Sequence, residues 1–410
     1  MNREYDLIIY GASGFTGRLA VEYLDENYSD LNWAIAGRNE DKLVNISNNS
    51  KCKPDYFIAD SEDSENLLKI ASKTRVIASL AGPFNKYSDN LVTQCVEAGT
   101  HYLDITGENI WVRDLIDKHH EAAEKKQIKI IPSCGYDSIP SDMGCFYLQR
   151  SLNQELQRID GYHRGNGGVS GGTIESAFSM RNYKSKYSMG HPFLLNSKEY
   201  IKTQNISENK DNFKIKYIDD IELWSAPFVM AIANTRVVRR SSEIHDKNQA
   251  SYGSEFKYQE YMMLKKYSSA FLVTAGLAVF GLMLISPISG LFRKLFTKAG
   301  NGPDKKTREN GWFESIFIGK NKNNEKYKLR MFCKGDPGYK STAKLICESA
   351  LCLALNSENL PNTNAGGVLT TSTGLGSTLI DRLKKADVLF EGPSKISVSY
   401  THLRAHETFH

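Results

Sequence analysis

Apolar residues follow two alternating spacings over the first 140 residues of this chain. Short runs rich in β-branched residues, beginning with Tyr5–Tyr10, have the composition of strands, whereas residues 15–24 place apolar side chains at helical spacing. The same alternation predicts further strands at 32–36, 56–59, 75–80, 101–105 and 128–131, and further helices at 62–72, 90–98 and 110–126. Strands that alternate with helices predict an α/β fold with a doubly wound parallel sheet, because right-handed crossovers need helices on both faces.

The pattern changes after Pro140, and the chain divides into four parts. Residues 1–140 form the predicted nucleotide-binding domain of Rossmann type. Residues 141–340 mix Gly-rich, aromatic and β-branched segments that are typical of an inserted α+β domain for substrate binding or oligomerisation. We predict that residues 341–391 form a helical segment that packs back on the first domain. Residues 397–410 are predicted to be a non-native tail.

Composition and charge exclude several classes of protein. The 52 Lys and Arg against 47 Asp and Glu leave a net charge of +5, which is too thinly spread for a nucleic-acid binder. The seven cysteines are scattered without a CxxC pair, so we assign neither a metal site nor a disulfide framework. The first apolar run enters a glycine turn directly, unlike a secretory signal, and this favours a cytoplasmic protein.

Residues 267–292 contain no charged residue and no histidine, and lysines and arginine flank them. Three readings of this segment stay open: a helix on a membrane surface, a buried core or oligomer helix, and a membrane span. The basic flanks suit the first reading, in which the protein is peripheral to a membrane or lipid surface. A homodimer through this segment is compatible with the second.

The clearest chemical signal is a glycine-rich turn between the first strand and the first helix. Its spacing is GxxGxxG, and a turn of this kind lets backbone amides and the helix dipole receive a pyrophosphate. The predicted cofactor contacts in the turn are Gly11, Ser13, Gly14, Phe15, Thr16 and Gly17. We therefore expect a dinucleotide cofactor.

The end of the second strand indicates which dinucleotide is bound. No carboxylate stands there to accept a ribose 2′-hydroxyl, whereas Arg38 and Lys42 can meet a 2′-phosphate. NADP(H) is therefore preferred, with NAD(H) as the alternative. Asp60 is either an adenine-side contact or a helix cap, and the small residues Ala81, Gly82 and Pro83 after the fourth strand leave room for the nicotinamide ribose.

Polar residues after the fifth and sixth strands are candidates for proton transfer. Tyr136, Asp137, Asp104 and Cys134 all follow strands whose carboxyl ends meet at one crevice. A structural role is the alternative for each residue: Asp137 as a helix cap, Asp104 as a turn residue and Cys134 as a small buried side chain.

The second domain offers candidates for substrate binding. A glycine-rich turn before a predicted helix can receive an anionic or carbonyl oxygen, and its residues are Ser170, Gly171, Gly172 and Thr173. Arg236, in a basic run at 236–240, can meet an acidic substrate or a lipid head group. The alternatives are a plain loop and a solvated strand end.

The motifs GASGFTG, AGR, SLAGPF, THYLDITGE and SCGYDSIPSDMG stand in this order, and GGVSGGT, GPDKKTRENGWF and GDPGYKSTAKLICESA follow. Residues 5 to about 391 thereby resemble the saccharopine dehydrogenase-like oxidoreductases, including the bacterial trans-acting enoyl reductases. This resemblance implies a Rossmann domain with an inserted α+β domain, an NAD(P) cofactor and reduction of a carbon–carbon double bond in a lipid or polyketide intermediate. It also implies lipid or membrane association for some members.

The sequence departs from this resemblance at 397–410, where we do not interpret the three histidines as a metal site. The leading hypothesis is an NADPH-dependent enoyl reductase acting on a small molecule or lipid, with Tyr136 favoured as the proton donor. One alternative is a saccharopine-type imine or amino-acid dehydrogenase. Another is a lipid-surface protein that keeps the scaffold without turnover.

Overall fold

The computed structural model describes residues 3–397 except 153, 168–174, 177, 181–182, 249, 254, 287–301 and 362–364. Three sequence predictions therefore fall outside the described residues: the substrate contacts at 170–173, the end of the uncharged segment at 287–292, and the tail from residue 398.

Two seven-stranded sheets make up the framework of the described chain. Their strands are β1 (Tyr5–Tyr10), β2 (Trp33–Gly37), β3 (Asp55–Ile58), β4 (Thr74–Ser79), β5 (His101–Asp104), β6 (Lys129–Ile131), β7 (Leu156–Asn166), β8 (Lys216–Ile218), β9 (Leu223–Pro227), β10 (Lys257–Leu264), β11 (Trp312–Asn321), β12 (Lys326–Lys334), β13 (Gly367–Val368) and β14 (Leu389–Lys395).

Helices cover both faces of the first sheet and fill the space between the sheets. They are α1 (Phe15–Asn27), α2 (Glu40–Asn49), α3 (Ser64–Lys73), α4 (Phe84–Tyr87), α5 (Asp89–Ala98), α6 (Asn109–Lys125), α7 (Ile139–Arg150), α8 (Lys198–Lys202), α9 (Ala231–Lys247), α10 (Tyr267–Ile285), α11 (Lys305–Asn310), α12 (Thr342–Leu355), α13 (Thr371–Gly374) and α14 (Gly376–Lys385). Short 3₁₀ turns at Ser207–Asn209 and Ser357–Asn359 and a π-helical turn at Pro337–Ser341 join them.

The first sheet is parallel throughout, with the order β3-β2-β1-β4-β5-β6-β13. Its central strand β1 is almost continuously apolar, and Leu7, Ile8 and Ile9 have no exposed surface, because helices cover both faces. The predicted doubly wound sheet is confirmed. The strand order reverses between β1 and β4, so a crevice opens at their carboxyl ends.

The second sheet is mixed, with the order β14-β12-β11-β7-β10-β9-β8. Its strands pair antiparallel except for β7 and β10, which run parallel. Helix α7 leaves the first domain and packs on the inner face, where Gly144 lets the ring of Phe317 approach. The two sheets thus share one apolar core, which holds β1, α7 and β11 residues together.

The chain after residue 341 contributes one strand to each of the two sheets. Helix α12 packs against α1, β1 and β4, and β13 extends the first sheet beside β6. Strand β14 instead joins the edge of the second sheet beside β12. The segment 341–391, predicted to be helical, holds α12, α13 and α14 together with β13 and the start of β14, two strands that the sequence did not indicate.

Helix α10 is apolar on all sides and stands apart from the core. Its side chains include Leu272 at 70% and Leu282 at 64% exposed surface, and its contacts with the second sheet are to β9 and β10. Among the described residues, Tyr267–Leu284 is the one stretch long and apolar enough to cross a membrane, with a mean hydropathy of 1.8. Within a single chain, this exposure excludes the reading of the segment as a core helix.

Candidate functional site

The glycine-rich turn connects the carboxyl end of β1 to α1. Gly11 has a φ of +83°, a left-handed conformation that favours glycine. A β-carbon on Gly17 would stand 2.3 Å from the Gly11 carbonyl oxygen, so α1 can pack on the turn only without a side chain there. Gly14 is the N-cap, and the amide of Arg18 is the first to bond back to it. The earlier amides of α1 lack helical acceptors and suit an anion.

A cleft opens beside this turn at the carboxyl edge of β1, β2 and β4. Its lining residues are Tyr10, Gly11, Ser13, Gly14, Gly37, Arg38, Ser61, Leu80, Ala81, Gly82 and Tyr87. Predicted cofactor contacts from three separate segments are thereby brought together: the turn, the end of β2 and the end of β4. A crevice with a glycine-rich turn at the carboxyl edge of a parallel sheet is typical of dinucleotide sites.

Arg38 lies at the end of β2, on the rim of the cleft. Its guanidinium carbon is 5.8 Å from the centre of the Tyr87 ring, which stacks against it from α4. Among the described residues no carboxylate forms an ion pair with Arg38, so its N–H donors are available to a phosphate. Ring stacking restricts the orientation of the guanidinium and should lower the entropy lost when it binds.

Replacing Arg38 with alanine is expected to weaken NADPH binding about tenfold or more, because a charge-assisted hydrogen bond contributes about 1.5–3 kcal/mol. NADH lacks the 2′-phosphate, so its dissociation constant should change less than about twofold. Fluorescence titration with both cofactors measures the difference, with Lys69→Ala, an exposed lysine of α3 that does not line the cleft, as the charge-matched control. An equal loss for NADPH and NADH would remove Arg38 from the 2′-phosphate site.

The other predicted cofactor residues lie around the cleft without lining it. Lys42 is exposed in α2, where its backbone amide bonds the N-cap Asn39. The carboxylate of Asp60 accepts the Glu62 amide in a turn, and Asp63 is the cap of α3. Pro83 is the N-cap of α4.

Phe15 and Thr16 form the first turn of α1. The Phe15 ring contacts Tyr339 edge to face at 4.7 Å, and the guanidinium of Arg308 lies 5.3 Å from the same ring. Residues of the second half of the chain therefore border the turn.

Asp104 and Cys134 are fully buried beneath the crevice. The Asp104 carboxylate accepts hydrogen bonds from the Thr106 and Ser133 amides and from the Tyr102 hydroxyl. Burial raises the pKa of Asp104 to about 7. The Cys134 thiol donates to a backbone carbonyl in the core, and burial raises its pKa well above the usual range. These contacts join the ends of β5 and β6, and neither the Asp104 nor the Cys134 residue has exposed surface.

Tyr136 and Asp137 lie at the mouth of the same crevice, after β6. The Tyr136 ring packs 5.1 Å from that of Phe313 in β11, and burial raises the pKa of its hydroxyl. Asp137 is half-buried, and its Oδ2 lies 3.7 Å from the point where a β-carbon of Gly107 would stand, with the Met230 methyl also close to that point. In the described chain its carboxylate has no hydrogen-bond partner. Burial raises the pKa of Asp137 to about 7.

Arg236 does not belong to the substrate contacts. The segment 236–240 lies within α9, and the Arg236 side chain has no exposed surface. Its guanidinium donates to Asp211 Oδ1 at 2.5 Å and to the Thr235 hydroxyl at 2.8 Å. The prediction fails because a buried arginine needs acceptors from the protein itself, and two of these, Asp211 and the Gly190 carbonyl, come from segments outside α9.

Several lining residues were not predicted from the sequence. Tyr10, Ser61 and Leu80 end or follow the strands β1, β3 and β4, so the rule that ligands bind at carboxyl strand ends could have included them. Tyr87 sits within a polar helical segment, and nothing in the local pattern indicates that its ring meets Arg38.

Comparison with known proteins agrees with this site. Residues 7–131 match the family model of the saccharopine dehydrogenase NADP binding domain. The chain is 32% identical over 426 residues to a trans-acting enoyl reductase of Mycobacterium tuberculosis (strain ATCC 25618 / H37Rv), covering 96% of this chain and 99% of the relative. It is 28% identical over 438 residues to the trans-acting enoyl reductase of Mycobacterium leprae (strain TN), covering 96% and 99%.

A solved structure shares the fold. The apo histidine-tagged saccharopine dehydrogenase (L-Glu forming) from Saccharomyces cerevisiae superposes with a TM-score of 0.54 at 12% sequence identity, covering 94% of this chain and 99% of that one. The matched NADP binding domain contains the glycine-rich turn and Arg38, so the preference for NADP(H) is confirmed.

Proposed function

The chain belongs to the trans-acting enoyl reductases of the saccharopine dehydrogenase-like family and is an NADP-dependent oxidoreductase, and on that premise we propose that it reduces the carbon–carbon double bond of an enoyl substrate. Bound by the glycine-rich turn and Arg38, NADPH would supply a hydride to the β-carbon of the substrate, with the π electrons moving to the α-carbon. A protein acid then protonates the α-carbon. The products are NADP⁺ and the saturated acyl group.

The observation that carries this proposal is the half-buried Asp137 carboxyl at the crevice mouth. It lacks a hydrogen-bond partner in the described chain, and its Oδ2 lies 3.7 Å from the point where a β-carbon of Gly107 would stand. An acid with a pKa of about 7 holds its proton in roughly half of the molecules at neutral pH and releases it readily. The Tyr136 hydroxyl, whose pKa is raised, is a weaker acid in the same place. We therefore assign the proton to Asp137 rather than Tyr136.

The amino-acid dehydrogenase alternative needs cations for the carboxylates of its substrate. Arg239 and Arg240 donate instead to backbone carbonyls of Pro192 and Leu195, and both are buried. Arg236 is paired within the protein as well. An enoyl group needs no such cations for binding, so the pairing of these arginines within the protein favours the enoyl substrate.

The test is NADPH oxidation with a short 2-enoyl thioester, compared with oxidation in the presence of an α-keto acid and an amino acid. We expect turnover with the thioester and a saturated acyl product by mass spectrometry. Turnover only with the keto acid and amino acid would establish imine reduction. NADPH binding without turnover of any acyl chain length would favour the scaffold role on a lipid surface.

We also propose that α10 lies at a membrane surface. The first turn of α10 carries Tyr267, whose ring contacts Trp224 at 5.1 Å, and Trp224 contacts Tyr217 at 5.3 Å. Exposed Lys265 and Lys266 precede the helix. Aromatic rings and lysines at the base of an apolar helix are typical of the interface between lipid and water.

Replacing Leu272 and Leu282 together with glutamate is expected to lower the partition coefficient onto vesicles of phosphatidylcholine and phosphatidylglycerol about 100-fold. The reason is that each buried leucine contributes about 1.5–3 kcal/mol. Co-sedimentation measures the partition, and Leu389→Glu, at 47% exposure on β14, is the matched control. If the wild type does not sediment with vesicles but the double variant changes a dimer to a monomer, the helix is an oligomer contact instead.

A further inference from the structure

A buried carboxylate lies next to the cofactor cleft and belongs to none of the roles assigned so far. Glu108 precedes α6 and is 1% exposed. Its Oε1 accepts the Phe84 amide at 3.0 Å, and its Oε2 accepts the Asn85 amide at 2.8 Å. A carboxylate in this position caps α4, whose two first amides would otherwise lack acceptors.

These hydrogen bonds fix one wall of the cleft. Ala81 and Gly82 line the cleft directly before α4, and a β-carbon on Gly82 would stand 3.2 Å from the Phe84 ring. The Phe84 ring stacks in turn on Trp111 of α6 at 6.3 Å. The backbone from 81 to 85 is therefore held between the Glu108 carboxylate and a packed ring, and it cannot shift without breaking the hydrogen bonds.

The third donor to Glu108 comes from the chain after β7, outside the first domain. The Ser176 hydroxyl donates to Glu108 Oε1 at 2.7 Å, and the Ser179 hydroxyl donates to the Asn85 side chain at 3.1 Å. One carboxylate thus joins the wall of the cleft to the segment that follows the glycine-rich stretch at 167–173. The position of that segment and the position of the wall depend on each other.

We propose that Glu108 is a positioning residue that fixes the nicotinamide half of the cofactor through the 81–85 backbone and transmits the position of Ser176 to it. The inference rests on the proposed placement of NADP(H) in this cleft. A dinucleotide spans the strand reversal between β1 and β4, with its adenosine half on the β1–β3 side and its nicotinamide half on the β4–β6 side. The backbone from 81 to 85, which Glu108 holds, connects β4 to the helices before β5 and therefore lies on the nicotinamide side.

The test compares two ligands of wild type and Glu108→Gln: NADPH and 2′-phospho-ADP-ribose, which lacks the nicotinamide. A glutamine presents one oxygen and one NH₂ group to three donors, so one backbone amide loses its acceptor. We expect the NADPH dissociation constant to rise about tenfold and that of 2′-phospho-ADP-ribose to change less than twofold. Equal changes for both ligands, or none for NADPH, would overturn the inference.

Ser176→Ala is a milder variant that leaves the first domain intact. We expect it to raise the NADPH dissociation constant about threefold. The double variant should bind NADPH with the same dissociation constant as Glu108→Gln alone, because both changes act through one carboxylate. Additive effects would show that Ser176 does not act through Glu108. Failure of the proposed cofactor site is distinguishable, since wild-type protein would then bind neither ligand.

Discussion

NADPH binding is expected to fall more than about 100-fold when Gly14 is replaced with valine. The amides at the start of α1 are the proposed pyrophosphate contacts, and losing two charge-assisted hydrogen bonds costs about 3–6 kcal/mol. A β-carbon on Gly14 meets only the Gly11 carbonyl oxygen, at 3.2 Å, and the Leu80 carbonyl oxygen, at 4.0 Å, so the fold should tolerate the substitution. Fluorescence titration gives the affinity, and circular dichroism gives the folded fraction.

Gly276→Val is the matched control, because no atom lies within 4 Å of a β-carbon at that position of α10. It should leave the affinity for NADPH unchanged. Gly17 would be a poor test site, since a β-carbon there overlaps the Gly11 carbonyl oxygen and would disturb the packing of α1 itself. A normal NADPH affinity in folded Gly14→Val protein would place the cofactor elsewhere.

Asp137→Asn is expected to lower kcat for enoyl reduction about 100- to 10,000-fold, the usual contribution of a general acid. The dissociation constant of NADPH should stay within about twofold, because Asp137 does not line the cofactor cleft. Stopped-flow measurement of NADPH oxidation under saturating cofactor separates the two quantities. Tyr136→Phe is the companion variant in the same crevice and should retain most of the activity.

The pH dependence gives a second test of Asp137. A general acid must carry its proton, and burial raises the pKa of this carboxyl to about 7. The rate should therefore be level below pH 7 and fall about tenfold per pH unit above it. The fall should disappear in Asp137→Asn. If the rate instead stays level up to the alkaline range and its fall there disappears in Tyr136→Phe, the tyrosine is the proton donor.

The sequence indicated the first domain well because its information is local. In the first domain, short apolar strands such as β1 alternate with helical segments at short separations along the chain. A sheet covered on both faces requires almost uninterrupted apolar strands, and these are visible in the local sequence. The turn from Gly11 to Gly17 is equally local, since its φ angle and close contacts depend on neighbours in the chain. The cofactor class followed from the turn and from Arg38 alone.

The second domain shows where local information ends. Strand β7 pairs with β10 and β11, which lie about 100 and 150 residues further along the chain, and no local pattern encodes such a register. Strand β13 has two residues, too few to show a period. The basic run in α9 suggested a charged surface, yet Arg239 and Arg240 are buried and donate hydrogen bonds to backbone carbonyls distant in the chain, among them those of Pro192 and Val368.

By itself, the sequence determined the parallel sheet, the dinucleotide turn and the preference for NADP(H), because each depends on residue types within a few positions of one another. Only the tertiary structure decided which polar residues work as a group. In the tertiary structure Asp104 is buried, whereas Asp137 at the crevice mouth has no hydrogen-bond partner in the described chain. Glu108 accepts hydrogen bonds both from the cleft wall and from Ser176. Burial and hydrogen bonding are set by residues far apart in the chain, and these determine the pKa and the availability of each side chain.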